Sequence, residues 1–288
     1  MQAIGARSLS AEEPSVAVTY NVNVSNDPGN RDHQNREIDF GRTAADYERY
    51  RPGFPEGFFD RLSDLRWILP RQRVLDLGTG TGSLAIGFAA RGLEATGLDI
   101  APELLEVARQ AAIDQGLNVN FVKGKAEHTD QDASSYDLVS AGQCWWWFDS
   151  DGAIREANRV LAPRGRLLIA SFSYLPLPGT VAERTEDLIL EHNPGWPMAG
   201  WCGVHPEHVQ ALDNGSFRNV ESFSYVIDMP FSHVAWRGRV RTCNGVGSAL
   251  SAERVEVFDS ELADVLAREF PGELNVPHRV FATSGIKT

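Results

Sequence analysis

The sequence has few cysteines and no long hydrophobic run. Its three cysteines, Cys144, Cys202 and Cys243, are widely spaced and form no Cys-x-x-Cys pair, so the sequence indicates neither a zinc ribbon nor a thioredoxin-type redox site. No stretch approaches about 18 consecutive apolar residues, so no membrane span is expected. The first residues contain no apolar core after a basic start, unlike a signal peptide. We therefore expect a cytoplasmic protein.

Positive charge is also scarce. The 288 residues include 27 lysines and arginines against 39 aspartates and glutamates, which gives a formal net charge of −12. Nucleic-acid-binding proteins use a cationic face to release counterions from phosphates, so we expect no nucleic-acid partner. Hydrophobic residues make up 42% and charged residues 23% of the chain, which is typical of a globular protein. This composition leaves homo-oligomerisation open.

The central part of the chain alternates between strand and helix patterns. Short strands are predicted at 73–77, 94–99, 118–124, 136–142 and 165–172, and further strands at 220–231 and 277–285. Strands that alternate with helices predict a parallel sheet with both faces covered. The expected fold is therefore α/β, a doubly wound and mostly parallel seven-stranded sheet.

Four segments follow from these patterns. A flexible N-terminal tail covers 1–38, and a core with an N-terminal lid helix covers 39–175. Residues 176–215 are rich in proline and tryptophan, so we expect an irregular cap with a few helical turns that binds the substrate. Residues 216–288 would contribute the rest of the core sheet and two helices. The aromatic cap favours a small-molecule substrate over a macromolecule.

The most specific motif is the glycine-rich turn VLDLGTGTGSLA at 74–85. Gly78, Gly80 and Gly82 would let the chain turn tightly and approach a ligand closely. A phosphate-binding P-loop requires Gly-Lys-Ser/Thr at its end, whereas Gly82 is followed by Ser83 and Leu84, so that motif is excluded. A dinucleotide fingerprint would place its third glycine at position 83, where the sequence has serine.

Two aspartates narrow the class of ligand. Asp76 precedes the loop by two residues, and its carboxylate would repel a pyrophosphate but suit a ligand with cationic groups. S-adenosylmethionine (SAM) has a sulfonium, an ammonium and ribose hydroxyls. Asp99 ends the second strand, where an acid that binds ribose hydroxyls is expected. The alternative is that Asp76 only caps the amides of the loop.

The Asp-x-Gly-x-Gly-x-Gly element with the later Gly-x-Asp resembles the class I SAM-dependent methyltransferases, which have a Rossmann-like fold. Segments 46–55, 123–130, 136–149 and 159–172 resemble small-molecule enzymes similar to trans-aconitate methyltransferases. Some antibiotic-pathway N-methyltransferases share this architecture. The resemblance is strong over about 45–175 and looser over 216–288. One departure is Trp146, which stands where the family often has the histidine of a His-Trp-Phe element.

The resemblance implies a cofactor site along the strand ends. The ligand crevice of an open parallel sheet lies at the carboxyl ends of its strands, so residues there would meet at one edge. SAM would be bound there, S-adenosylhomocysteine would be the product, and no metal is expected. The expected cofactor-binding residues are Tyr47, Arg51, Asp76, Gly78, Thr79, Gly80, Gly82, Asp99, Ile100, Ala126, Glu127 and Gln143.

The acceptor site is predicted from aromatic segments around this edge. Tyr47 and His205 are the catalytic candidates, Tyr47 as part of a lid and His205 as a base. If the chain is extended at 145–147, two of its tryptophans face the same side. For the tryptophans the alternative is packing in the core, and for the tyrosines it is packing on the surface. For the arginines of the predicted helix 233–242 the alternative is a salt-bridged face. The expected substrate-binding residues are Tyr50, Trp145, Trp147, Trp201 and Arg241.

The sequence therefore predicts an enzyme that transfers a methyl group from SAM to N, O or C of a small organic molecule. Alignment of the reactants and exclusion of water would supply most of the rate. The resemblance implies a role in secondary metabolism, including antibiotic biosynthesis. Three alternatives stay open: a SAM-binding protein without methyl transfer, a methyltransferase-like enzyme that catalyses a rearrangement, and an NAD-dependent oxidoreductase.

Overall fold

A computed structural model describes residues 49–288. The predicted tail at 1–38 and Tyr47 of the predicted lid helix lie outside the described residues. Within the part described, no helix combines the length and the apolar character needed to cross a membrane.

Seven strands of the described chain form one sheet in the order β3-β2-β1-β4-β5-β7-β6. Strand β7 runs antiparallel to both β5 and β6, and the pairings from β3 to β5 are parallel. This confirms the predicted α/β fold with a mostly parallel seven-stranded sheet. The strands are β1 (Arg73–Leu77), β2 (Glu94–Asp99), β3 (Val119–Lys123), β4 (Tyr136–Gly142), β5 (Leu161–Tyr174), β6 (Phe217–Phe231) and β7 (Leu274–Lys287).

Helices cover both faces of this sheet and extend beyond its β5–β7 end. On one face Phe58, Phe88 and Leu105 belong to a single core cluster, and on the other face Ala157 and Leu212 belong to a second. A third cluster packs the last helices against the ends of β5 to β7. The helices are α1 (Glu56–Asp64), α2 (Ser83–Ala89), α3 (Pro102–Asp114), α4 (Ser150–Val160), α5 (Val181–His192), α6 (Pro206–Asn214), α7 (His233–Arg241) and α8 (Ala252–Glu269).

Segment 176–215 is more regular than the sequence predicts. Helix α5 begins after Thr180, whose side chain accepts a hydrogen bond from the N–H of Glu183, an N-cap of the usual kind. Helix α6 has Pro206 in its first turn, where proline is well tolerated. Both tryptophans of the segment, but only two of its five prolines, lie between the two helices, at 193–205. The few helical turns expected in the cap form two helices of 12 and 9 residues, and the chain between them is irregular.

Candidate functional site

The glycine loop lies between β1 and α2. Gly78, Gly80 and Gly82 have φ values of +61°, +55° and +85°, a left-handed conformation that other residues rarely adopt. A Cβ atom on Gly78 would lie 2.9 Å from Sγ of Cys144, so a larger side chain also lacks room there. The loop thus exposes backbone rather than side chains at the carboxyl edge of the sheet.

Asp76 lies beneath the loop and is only 2% exposed. Its carboxylate oxygens accept hydrogen bonds from Oγ1 of Thr79 at 2.7 Å and Oγ of Ser140 at 2.6 Å. Burial raises the pKa of Asp76 to about 7, although these hydrogen bonds oppose the shift. The carboxylate ties the loop to β4, which favours the alternative in which Asp76 holds the loop rather than contacting a cationic ligand directly. The hydroxyl of Thr79 serves the same purpose.

Asp99 ends β2 and faces the loop from the other side. Its Oδ2 accepts a hydrogen bond from the N–H of Gly80 at 2.8 Å, and its Oδ1 accepts one from the N–H of Ala101 at 2.9 Å. Each oxygen retains a second lone pair. Burial raises the pKa of this carboxyl group. The neighbouring Ile100 is 52% exposed, so hydrogen-bond acceptors and an apolar surface lie side by side.

The side chains predicted at the ends of β3 and β4 are engaged within the chain. Ala126 is buried, and Oε1 of Glu127 accepts a hydrogen bond from the N–H of Asp149 at 2.9 Å. Gln143 has a φ of +64°, and its Nε2 donates to the carbonyl of Phe172. Gln143 therefore links β4 to β5 and fixes the edge of the sheet beside the loop.

The three tryptophans after β4 form a turn of 3-10 helix instead of the extended chain predicted. The N–H of Trp147 donates to the carbonyl of Cys144 at 2.9 Å, which closes the turn, so Trp145 and Trp147 do not share one side as in a strand. Trp145 is buried in the core with its ring 5.8 Å from that of Phe148, which favours its packing role. Trp147 is half-buried.

Trp146 contacts the predicted base. Its ring stacks on that of His205 with centroids 5.7 Å apart and planes 15° apart, and Trp201 lies 4.9 Å from the same imidazole. Nδ1 of His205 lies 3.0 Å from Oε1 of Glu207. Because the carboxylate accepts a hydrogen bond, Nδ1 carries the proton and Nε2 retains a lone pair. This is the geometry of a buried base oriented by a carboxylate.

His208 stacks on the other face of His205. The ring centroids are 4.5 Å apart and the planes differ by 3°. His205, Glu207 and His208 place their potential ligand atoms within 4.8 Å of one another, a spacing that suggests a metal site. Each ring-nitrogen lone pair lies in its ring plane, and two stacked parallel planes share no point, so this arrangement does not converge on one ion. Burial lowers the pKa of His208 to about 3.

The segment before α1 packs on α7. The ring of Tyr50 lies against Gly238, where a Cβ atom would be 2.2 Å from Cδ2 of the tyrosine. The guanidinium of Arg241 is 5.9 Å from the same ring, and its Nη1 contacts Oδ1 of Asp259 at 2.8 Å. This ion pair favours the salt-bridged alternative over the predicted substrate contact of Arg241. Arg51 is half-buried beside this segment.

Sequence reasoning missed three buried polar residues near the end of β5: Glu186, Arg239 and His278. Burial raises the pKa of Glu186 to about 7, and its carboxylate accepts a hydrogen bond from the N–H of Gly200 at 2.6 Å. Arg239 escaped notice because its neighbours at 237 and 241 form a charged helix face. The available signal was its position between Trp236 and Val240, on the apolar face of the same helix.

The chain is similar in sequence to known methyltransferases. Residues 74–165 match a family model described as a methyltransferase domain. The chain is 42% identical over 132 residues to an uncharacterised methyltransferase of Mycobacterium tuberculosis, covering 45% of this chain and 50% of that protein. It is 38% identical over 115 residues to demethylmenaquinone methyltransferase of Thermus thermophilus, covering 39% and 52%. The chain thus spans about half the length of these relatives.

A solved structure shares the fold. Phosphoethanolamine N-methyltransferase 2 of Haemonchus contortus, in complex with phosphomonomethylethanolamine and S-adenosylhomocysteine, is similar with a TM-score of 0.50 and 20% identity. The likeness covers 85% of this chain and 56% of that one.

Proposed function

Because this chain contains a methyltransferase domain of the class I type, we propose that it transfers a methyl group from S-adenosylmethionine to a small organic molecule. The observation that carries the proposal is the pairing of the glycine loop with Asp99 at the carboxyl edge of β1 and β2. Open α/β sheets bind their ligands at this edge.

The residues at this edge fit SAM. The remaining lone pairs of Asp99 would accept hydrogen bonds from the ribose hydroxyls, and the exposed Ile100 would contact the adenine beside Ala126. The backbone of 78–82 would approach the methionine part of the molecule. No lysine follows the loop, as a nucleotide triphosphate would require. Bound SAM would supply a methyl group that is activated by its positively charged sulfur.

His205 would act as the base for an acceptor that carries a proton. The acceptor would use a lone pair to bond the methyl carbon that SAM supplies, the electrons of the carbon–sulfur bond would stay on sulfur, and the proton of the acceptor would pass to Nε2 of His205. Glu207 would orient the imidazole, and Trp146 and Trp201 would exclude water. Proximity and dehydration are the main sources of rate in such a site.

Named relatives support a small acceptor. One carries the name demethylmenaquinone methyltransferase, and the structural neighbour holds phosphomonomethylethanolamine. The net charge of −12 disfavours a nucleic-acid acceptor. We keep Tyr47 as a lid residue, Tyr50, Trp147 and Trp201 as acceptor contacts, and a cytoplasmic role in secondary metabolism as parts of the proposal.

Incubation of the full chain with methyl-labelled SAM and a panel of small metabolites tests the proposal. We expect the label to pass to at least one compound of the panel. SAM binding without transfer to any compound would instead favour a SAM-binding protein that does not methylate, and conversion of a compound without uptake of label would favour a rearrangement enzyme. Absence of SAM binding would overturn the proposal as a whole.

A further inference from the structure

Helix α7 carries three arginines in two different environments. Arg237 and Arg241 both pair with Asp259 of α8. Arg239 lies on the opposite face of the helix and is only 4% exposed. Among residues 49–288, no carboxylate oxygen lies within 4.0 Å of its guanidinium. One positive charge is therefore buried without an anionic partner in the part of the chain that is described.

The contacts of Arg239 leave one edge of its guanidinium free. Nη1 lies 3.3 Å from Sγ of Cys243, an ordinary distance for a weak acceptor such as sulfur, and 3.5 Å from Oγ1 of Thr242, which is long for a hydrogen bond to oxygen. Nε is buried and has no partner, and within 49–288 no acceptor bonds Nη2. The ring of Tyr174 lies 5.4 Å from the guanidinium carbon. The Nε and Nη2 edge thus offers parallel donors, the arrangement that binds a carboxylate through two hydrogen bonds.

His278 presents a second unpartnered buried group. Its Nδ1 lies 2.9 Å from the carbonyl of Val276, so Nδ1 must donate and Nε2 holds a lone pair. That Nε2 is buried and has no partner. Burial lowers the pKa of His278 to about 3, and the charges of Arg239 and Arg51 act in the same direction. The imidazole is therefore neutral and lies near both arginines, and no group donates a hydrogen bond to its Nε2 within the described residues.

Both groups lie at the same edge of the sheet as the glycine loop. The ring of His278 is 5.1 Å from that of Phe172, whose carbonyl accepts the hydrogen bond of Gln143. The ring of Phe54 is 6.2 Å from that of Phe172, and the N–H of Phe54 donates to Oγ of Ser83 at 3.1 Å. These contacts join the start of α2 to His278, and the ring of Tyr174, which lies 6.3 Å from that of His278 and 5.4 Å from the guanidinium carbon of Arg239, completes the connection.

A buried charge is costly unless an opposite charge and hydrogen bonds compensate it. The contact with Tyr174 stabilises a cation but accepts no hydrogen bond from Nε. We infer that Arg239 binds the carboxylate of the methyl acceptor, which is a small organic acid that also carries an O–H or N–H donor for Nε2 of His278. This inference rests on the proposed function, since it places the acceptor beside the SAM site.

Calorimetry on the full chain with S-adenosylhomocysteine tests the inference. The probes are a panel of small hydroxy, amino and aromatic carboxylic acids and their neutral amides. We expect at least one acid to bind while its amide does not. R239M lowers the affinity for that acid about 10- to 100-fold, the range for hydrogen bonds to a charged group. R239K restores only part of this affinity, because lysine cannot bind both carboxylate oxygens in one plane. The affinity for SAM is unchanged.

R237M is the matched control, because it removes an ion pair of the same helix without touching the unpaired edge. It binds the acid as the wild type does. R239Q repeats the test if R239M does not fold. Equal binding of the acid by R239M and wild type, or SAM binding with no acid of the panel bound, overturns the inference and leaves the proposed function standing. Failure to bind SAM or S-adenosylhomocysteine at all is instead the failure of the proposed function.

Discussion

The carboxylate of Asp99 accepts a hydrogen bond from the backbone N–H of Gly80 at 2.8 Å. This bond joins the end of β2 to the glycine loop that follows β1. The second oxygen of the same carboxylate holds the N–H of Ala101, so the loop and the start of α3 share one anchor. The acid expected to bind ribose therefore also fixes the backbone expected to face the ligand.

We predict that D99A weakens SAM binding by about 1.5–3 kcal/mol, the scale of hydrogen bonds to a charged group, while the protein still folds. Calorimetry measures the affinity and circular dichroism checks the fold. D114A is the control, because within residues 49–288 Asp114 accepts only a side-chain hydrogen bond, from Gln110 at the exposed end of α3. Unchanged affinity in folded D99A would mean that the ribose lies elsewhere.

Much of the sheet could be predicted from the sequence because its signals are local. Strands β1, β2 and β4 have the predicted bounds, since short apolar runs between glycines and charged residues mark buried parallel strands. The glycine loop could also be predicted, because three glycines at alternate positions indicate a tight turn whose backbone approaches a ligand closely. These features depend on neighbours in the chain.

The rest depends on contacts between distant segments. The environment of Arg239 is set by Tyr174 of β5 and His278 of β7. These residues are far apart in the sequence, and no sequence spacing indicates that they are neighbours in the fold. The partners of Asp76 include Ser140, 64 residues away, so a carboxylate that suggested a cationic ligand proved to be satisfied within the chain. The turn at 145–147 was missed because three consecutive tryptophans have no helical or strand period.

We predict that the ionisation of Asp76 destabilises the fold. Its pKa is about 7 in the folded chain against 3.8 for an ordinary aspartate, so between these values the folded state keeps a proton that the unfolded state has lost. Stability therefore falls as pH rises from about 4 to about 7. Relative to D76N, the wild type loses about 2–4 kcal/mol of unfolding free energy over this range, as urea denaturation at each pH would measure.

The control for this pH dependence is D137N. The side-chain hydrogen bond from Arg73 lowers the pKa of Asp137, so its contribution is lost as pH falls through the acid range, with the opposite sign. A difference between wild type and D76N that is constant from pH 4 to 8 would show that Asp76 is ionised throughout.

We predict that His205 and Glu207 act as one unit. H205Q lowers kcat about 10²- to 10⁴-fold, the usual contribution of a general base, and leaves the affinity for SAM unchanged. E207Q lowers kcat less, and H205Q with E207Q together is no worse than H205Q alone, because residues that act as a unit are not additive. E253Q, an exposed change at the start of α8, is the control. Additive losses of kcat in the double variant would show that the two residues act independently.

We predict that the segment between α5 and α6 gains protection when SAM and product bind. Trp201 and His205 cover the turn after β4, and such segments commonly close over bound ligand. Hydrogen exchange followed across 193–205 measures the effect, with the buried strand β1 as the reference.

Y47A, which changes a residue of the predicted lid, should lose turnover while the core folds. Equal exchange with and without ligand, together with full turnover of Y47A, would show that neither 193–205 nor the predicted lid closes over the ligand.

The identity of the ligand at the glycine loop is the central claim, and calorimetry tests it most directly. The full chain is titrated with SAM, NAD and ATP under the same conditions. A ligand without phosphates matches a loop that has no lysine and lies over a buried carboxylate, so SAM is expected to bind with a Kd in the micromolar range and the two nucleotides not at all. NAD binding as tight as that of SAM would contradict the assignment.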